Sequence, residues 1–374
     1  MSHELSTDQS KARLSELCLE LLRIPSVTGD EKEITDHLQR WAEALPHRPQ
    51  VPISRHGNGL VVGKPDGQRP CIALVGHTDT VPPHQGDPQA GIEGDKVTGL
   101  GASDMKSSLA VMLLLLETLP LLELPFSLIL VFYDKEEGPF SENGLQPLLD
   151  QYPWLKDIDL ALAMEPTDNT LQLGCLGGLQ AKVTFRGKAA HSARPWQGEN
   201  AIHKAGPLLT RLLSHPCPEV DVEGLLFRNC ISATLASGGR AKNVVPESFE
   251  LNINYRFAPT SPSEAAIEQA KTTVRSLCVD ADVEFVDVSP PGPLPEANPL
   301  FEHLRTEARL PIEPKQAWTD VARLAANSID ALNFGPGYGA QCHQAREYAS
   351  LQMIVDAYHT LYRVLTTPMA LEQP

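Results

Sequence analysis

The strongest constraint in this sequence is a set of short, unbroken apolar runs: Ile72–Val75, Phe126–Tyr133, Leu160–Met164 and, much later, Ala331–Phe334. A strand with one wet face alternates apolar and polar residues. These runs do not alternate, so both of their faces must be covered. A helix-like stretch from Met105 to about Leu119 separates the first two, and a last helix from about Ala349 to Leu365 follows the final run. Near the N-terminus, Leu14, Leu17 and Leu21, with Cys18 and Leu22, repeat at helical spacing before Pro25; a second helix is expected from near Gly29-Asp30 to about Ala44. The pattern predicts an α/β fold, with a mixed, largely parallel sheet flanked by helices.

The middle of the chain reads differently. Strand candidates are Leu179–Arg186, Cys230–Leu235, Phe249–Phe257 and Asp282–Val288. A helix candidate, Asn200–Ser214, follows the first and contains a costly Pro207. Ser261-Pro262-Ser263-Glu264 forms a capping box with Pro at the first helical position, opening a helix to about Leu277. The order β-α-β-β-α-β is the ferredoxin-like arrangement, and Pro290-Pro291-Gly292-Pro293 follows it as a stiff linker. At 374 residues the chain exceeds what one core usually organises. The expected organisation is therefore a discontinuous domain, residues 1–177 and 293–374, interrupted by a small α+β domain at 178–292.

The charge balance is 31 Lys+Arg against 47 Asp+Glu, a formal −16. That disfavours nucleic acid or an anionic membrane as partner. The most apolar stretch, Leu109 to Tyr133, is broken by Glu117, Pro120, Glu123 and Pro125, short of the roughly 18–20 uninterrupted residues that cross a bilayer. The N-terminus has no signal-peptide pattern, and the seven scattered cysteines form no CxxC. A reduced, cytoplasmic protein is expected.

GxSxG, HExxH and Walker A motifs are absent. What stands out is a series of acidic and histidine residues just after the apolar runs. His77 and Asp79 follow the first, in Gly76-His77-Thr78-Asp79-Thr80-Val81-Pro82, and Asp104 opens a helix in Ser103-Asp104-Met105-Lys106. Glu136 and Glu137 follow the second run, Glu165 the third, and His343 lies beyond the fourth and the turn Gly335-Pro336-Gly337. Each has an ordinary reading on its own: a solvated histidine, an N-cap, a loop pair, a turn residue. Ligands of open α/β sheets bind at the carboxyl ends of strands, so the series can converge on one crevice. Five carboxylates there would repel unless cations neutralised them. Two His with several Asp/Glu suit zinc, and also manganese or cobalt. A dinuclear site needs about 3.5–4 Å between metals, which one carboxylate can bridge.

GHTDTVP, ASDMK, the Glu-Glu pair, Glu165-Pro166-Thr167 and the late His together resemble the co-catalytic zinc aminoacylase/carboxypeptidase family, over nearly the whole chain. The resemblance implies two zinc ions per subunit, one held by His77 and Glu165, the other by Glu137 and His343, with Asp104 bridging. Asp79 would orient the His77 imidazole. Glu136 would be the general base, taking a proton from the attacking water and passing it to the leaving amine. The inserted domain would be a lid and dimerisation domain, with His191 and Asn243 acting across a homodimer interface and Arg256 holding a substrate carboxylate. Gly335 and Gly337 would supply backbone donors to substrate, or only turn the chain. The substrate would be a small N-acyl amino acid. Met164-Glu165-Pro166-Thr167, Arg186–Arg194, Asn254–Pro259 and Trp318–Arg323 resemble most closely the actinobacterial members that remove a succinyl group from a diamino acid. A deacetylase of acetylornithine, or a dipeptidase or aminoacylase, is the alternative within the family, and a non-catalytic peptide binder the alternative outside its chemistry. Tyr338, Arg346 and Ser108 depart from the subfamily pattern without removing a ligand.

Overall fold

The computed structural model describes residues 4–45, 51–260 and 262–369, which divide into two compact units. The first contains the chain up to Gly174, Leu294–Glu313 and the chain from Thr319 onward; the second contains Cys175–Pro293 and Pro314–Trp318.

The first unit is built on an eight-stranded sheet. Its order is Ile53–His56, Gly59–Val62, Ser127–Tyr133, Cys71–His77, Leu160–Ala163, Ala331–Asn333, Leu171–Leu173 and Ile312–Pro314. The four central strands, those carrying the apolar runs, are parallel, with Val75 opposite both Val131 and Ala163, and Leu332 opposite Leu162. All their residues are buried, as strands covered on both faces require. Antiparallel pairs flank this centre on each side. Because the central strands share a direction, their carboxyl ends lie along one edge of the sheet.

Helix Lys106–Thr118 is buried from Lys106 to Leu116, so it is apolar all round rather than amphipathic. It packs between helices Thr7–Leu22 and Leu351–Thr366. It also presses on the strand that ends at His77: a Cβ on Gly76 would lie 2.8 Å from Met105 Cε and 2.9 Å from Leu109 Cδ2. The first helix starts in a capping box made by Ser6 and Gln9. The second begins at Lys32, slightly later than the Gly29-Asp30 signal, because Glu31 turns back to accept the Gly29 N–H at 2.6 Å.

The second unit is a four-stranded sheet in the order Cys230–Gly238, Ser248–Phe257, Gly177–Arg186, Asp282–Ser289, with every neighbour antiparallel. Helices Ala201–Leu213 and Ser263–Leu277 cover one face, burying Ala205, Leu208, Ala270 and Val274 against Val183 and Ile253. This is the ferredoxin-like strand order. Ser261 of the expected capping box lies outside the described residues; the helix follows an extended Pro262. The segment Pro314–Trp318 belongs here although it lies far from the insert in sequence. The Gln316 side chain exchanges hydrogen bonds with the Arg228 backbone, and Trp318 Nε1 donates to the Pro290 carbonyl at 3.0 Å.

Among the elements not read from the sequence are the hairpin Glu219–Val222/Leu225–Arg228, the helix Pro299–Ala308, and a small sheet of Gly91–Glu93, Lys96–Thr98 and Tyr348–Ser350. The hairpin turns on Glu223-Gly224, both at positive φ, as a two-residue turn of this kind requires. The helix had a readable start, Asn298 capping and Pro299 at the first position. The small sheet has strands too short to show periodicity.

Pro207 sits inside helix Ala201–Leu213 on an exposed position, where it removes one backbone donor. Pro207→Ala is expected to raise the unfolding midpoint of the protein by the equivalent of about 1–3 kcal/mol. Urea unfolding followed by far-UV circular dichroism checks this; an unchanged or lower midpoint would show that the surroundings have adapted to the ring.

Candidate active site

The site forms in the first unit, where the parallel strands end. His77 is the last residue of its strand and is paired with Tyr133, the last residue of the neighbouring one. The chain leaving Tyr133 supplies Glu136 and Glu137, and the chain leaving Ala163 supplies Glu165. Asp104 precedes the buried helix, and His343 lies in a loop at φ 60°.

Asp79 organises the two neighbouring strand ends. Its Oδ1 accepts the Glu136 N–H at 3.0 Å, and its Oδ2 accepts both the Glu137 N–H and the Thr28 hydroxyl at 3.0 Å. On its other side, its carbonyl oxygen lies 3.1 Å and its Oδ1 3.4 Å from His77 Nδ1. Burial would raise the Asp79 carboxyl, but the bond to His77 and the two N–H donors outweigh burial and hold it below the usual range.

His77 is 1 % exposed. With Nδ1 directed at Asp79, its Nε2 faces Asp104 Oδ1 at 3.1 Å. Both ring nitrogens thus face acceptors, so either a proton or a cation must stand at Nε2. Burial opposes the charged ring, yet Asp104 and Asp79 raise its pKa well above the ordinary value. His343 repeats the pattern. Its Nε2 lies 2.9 Å from Glu137 Oε2 and 3.7 Å from Asp104 Oδ2, and Glu137 is the main cause of a pKa pushed up to about 9. Asp104 therefore turns one oxygen to each histidine.

These residues fit metal ions. His77, Asp104 and Glu165 bring ligand atoms within 4.8 Å of one another; so do Asp104, Glu137 and His343, and so do His77, Glu136 and Glu137. Asp104 is common to the first two groups, as a bridging carboxylate would be. Glu136 carries the most perturbed carboxyl of the pair. Burial, then the neighbouring Glu165, raises it well above the ordinary range, and burial also raises Glu137 against the bond from His343.

Glu347 was not singled out by sequence. It is 3 % exposed and accepts the backbone N–H groups of Gly101, Ser103 and Asp104 at 2.8, 2.6 and 2.9 Å. An acidic residue four positions beyond a candidate ligand was its only signal. The loop of His343 is further held by the turn at 84–87: His84 Nε2 lies 3.1 Å from the His343 carbonyl, and Asp87 accepts the Arg346 N–H at 3.0 Å.

The glycine turn is engaged within the protein. Gly335 donates to Thr167 Oγ1 at 3.2 Å and Gly337 to Met353 Sδ at 3.3 Å. A Cβ on Gly335 would lie 2.5 Å from the Met164 carbonyl oxygen and 2.8 Å from that of Glu165, so the turn packs directly on the strand end that carries Glu165.

The remaining candidates lie in the second unit. His191 pairs with Val244, and Ser192 N–H donates to the Asn243 carbonyl at 2.9 Å, which places His191 and Asn243 side by side. His191 Nδ1 accepts the Ala193 N–H at 3.1 Å. Arg256 lies on strand Ser248–Phe257, on the face opposite buried Ile253, Tyr255 and Phe257, with its guanidinium over Gly178.

Among known proteins, a succinyl-diaminopimelate desuccinylase of Corynebacterium glutamicum is 35% identical over 92% of this chain and 94% of its own. DapE of Mycobacterium tuberculosis is 36% identical over 94% of this chain and 97% of its own. The solved M20 family metallo-carboxypeptidase Sso-CP2 of Sulfolobus solfataricus shares the fold, with a TM-score of 0.74 at 15% identity over 94% of this chain and 98% of that one. The sequence profile of peptidase family M20/M25/M40 matches residues 73–367. That span runs through every strand end described above and continues past His343, and on it the chain belongs to peptidase family M20/M25/M40.

Proposed function

We propose that this protein is a two-zinc succinyl-diaminopimelate desuccinylase, converting N-succinyl-LL-2,6-diaminoheptanedioate and water to succinate and LL-2,6-diaminoheptanedioate. The observation that carries this reading is the identity of 35% to the Corynebacterium enzyme over more than nine-tenths of both chains, joined to a complete set of site residues. His77 and Glu165 would hold one zinc and Glu137 and His343 the other, with Asp104 shared; cobalt or manganese are substitutes of similar ligand preference. When bound, the ions supply Lewis acidity to the scissile carbonyl and make the attacking water acidic enough to react near neutral pH.

The chain's own residues do the rest. Glu136 takes the proton of the attacking water and delivers it to the leaving nitrogen. Its burial among carboxylates raises its proton affinity, which suits a base that must draw a proton from water. Asp79 holds the Glu136 N–H and faces His77, so base and ligand stay in register. Arg256 binds a substrate carboxylate; a succinyl amide offers one more than an acetyl amide, and this favours the desuccinylase over an acetylornithine deacetylase. His191 and Asn243 act on the substrate from the partner subunit of a homodimer. The dimer reading is supported by strand Cys230–Gly238, which ends the second sheet with Leu235 71 % exposed. No described helix is long and apolar enough to cross a membrane.

Hydrolysis of N-succinyl-LL-2,6-diaminoheptanedioate by the zinc-loaded enzyme should exceed that of N-acetylornithine by at least about tenfold in kcat/KM, the discrimination expected from one charge-assisted contact. Equal rates would shift the assignment to the deacetylase alternative. Glu136→Gln should lower kcat by roughly 10²–10⁴-fold with metal content intact. His191→Ala should also be nearly inactive, and mixing the two variants should restore part of the parental rate through hybrid dimers. A lack of restoration would remove the cross-subunit role.

Metal uptake should depend on pH. His343 at about 9 and His77 well above its usual value are protonated near neutrality in the metal-free chain, so cations must displace protons. Apparent affinity should rise with pH by about tenfold per unit for each proton displaced, levelling for the His343 share above pH 9. Calorimetric titration in buffers of different ionisation heats counts those protons; uptake without proton release would contradict the assignment.

A further inference from the structure

We propose that Glu347 is the positioning residue that holds bridging Asp104 in register with His343, and so sets the affinity of one of the two metal positions. The inference rests on the reading of Asp104 as the shared ligand. The Glu347 carboxylate is filled by backbone donors: Oε1 takes the Ser103 and Asp104 N–H groups, and Oε2 takes that of Gly101. It appears in none of the groups of described residues able to hold an ion. Its own backbone continues the tie, since its carbonyl accepts the Gly99 N–H at 3.3 Å and the next carbonyl, that of Tyr348, accepts the Ser103 hydroxyl at 2.7 Å. The loop 99–104 is thus wrapped around one side chain that stands four residues beyond His343.

The two metal positions depend on this contact unequally. His77 is fixed by the ladder that pairs it with Tyr133, and Glu165 stands two residues past the end of a buried strand. Glu137 and His343 both stand on loops, His343 at positive φ, and the distance of 3.7 Å between His343 Nε2 and Asp104 Oδ2 bridges two loops joined by Glu347. Losing the carboxylate removes an acceptor from three N–H groups and releases Asp104 toward the His343 side.

The test is stepwise Co²⁺ titration of the metal-free protein, followed by visible absorption and calorimetry. It is run on the parental chain, Glu347→Gln, Glu347→Ala and Glu347→Asp, and on His343→Ala with and without Glu347→Gln. In both Glu347→Gln and Glu347→Ala the weaker-bound ion should lose roughly 10–100-fold in affinity, the usual cost of removing a group that orients a ligand, with an altered cobalt spectrum. Glu347→Asp keeps the charge and should recover part of the loss. In the His343→Ala background, where one position is already crippled, Glu347→Gln should change the remaining affinity by less than about threefold. Equal weakening of both positions, or Glu347 variants that bind both ions like the parental chain, would overturn the proposal. A parental chain that takes up fewer than two ions would overturn the two-metal reading and this proposal with it.

Discussion

The buried Asp79 carboxylate is the interaction on which the site depends. It lies between two strand ends, accepts both N–H groups of the Glu-Glu pair and a hydroxyl from Thr28, and faces the imidazole of His77. A buried charge without partners would cost several kcal/mol; here each oxygen is satisfied, and the charge instead fixes where the next charges stand. With Asp79 in place, Glu136 and Glu137 must follow Tyr133 in one geometry, and His77 must turn Nε2 toward Asp104.

The resulting crevice stores electrostatic tension. Glu136 and Glu137 have carboxyls raised first by burial and then by a neighbouring carboxylate, Glu165 for Glu136 and Asp104 for Glu137, while His77 and His343 are raised by the carboxylates they face. Protons hold such a cluster together only at the expense of its reactivity. Divalent cations would satisfy the same acceptors, so charge accumulation and metal affinity are one property. The −16 formal charge of the chain disfavours nucleic acid as a partner, but the more informative carboxylates are the few gathered at strand ends.

Much of this was legible in the sequence because it is local. Apolar runs without alternation announced the central parallel strands, and alternation in Phe249–Phe257 placed Arg256 opposite the core of the second unit. The strand order of the insert followed from its β-α-β-β-α-β succession. What escaped notice depends on short or distant pieces. The strand Tyr348–Ser350 is three residues long and carries no periodic signal, yet its pairing with Lys96–Thr98 brings Glu347 to the Asp104 loop. Pro314–Trp318 belongs with the second unit through side-chain bonds of Gln316 and Trp318 that no pattern encodes. The glycine turn at 335–337 was read either as a source of backbone donors to substrate or as a turn alone, and only packing revealed the bonds from its N–H groups to Thr167 and Met353.

The sequence alone determined which residues are the candidates for the chemistry: the identities of His77, Asp104, Glu136, Glu137, Glu165 and His343, and their places after apolar runs, are properties of the linear chain. The tertiary structure decided which oxygen meets which nitrogen. Parallel pairing puts His77 beside Tyr133, burial forces each polar atom to find a partner, and backbone donors from residues 101–104 close around Glu347. Those relations need through-space distances of about 3 Å between residues up to hundreds of positions apart, set by hydrogen bonds that form only once the core has packed.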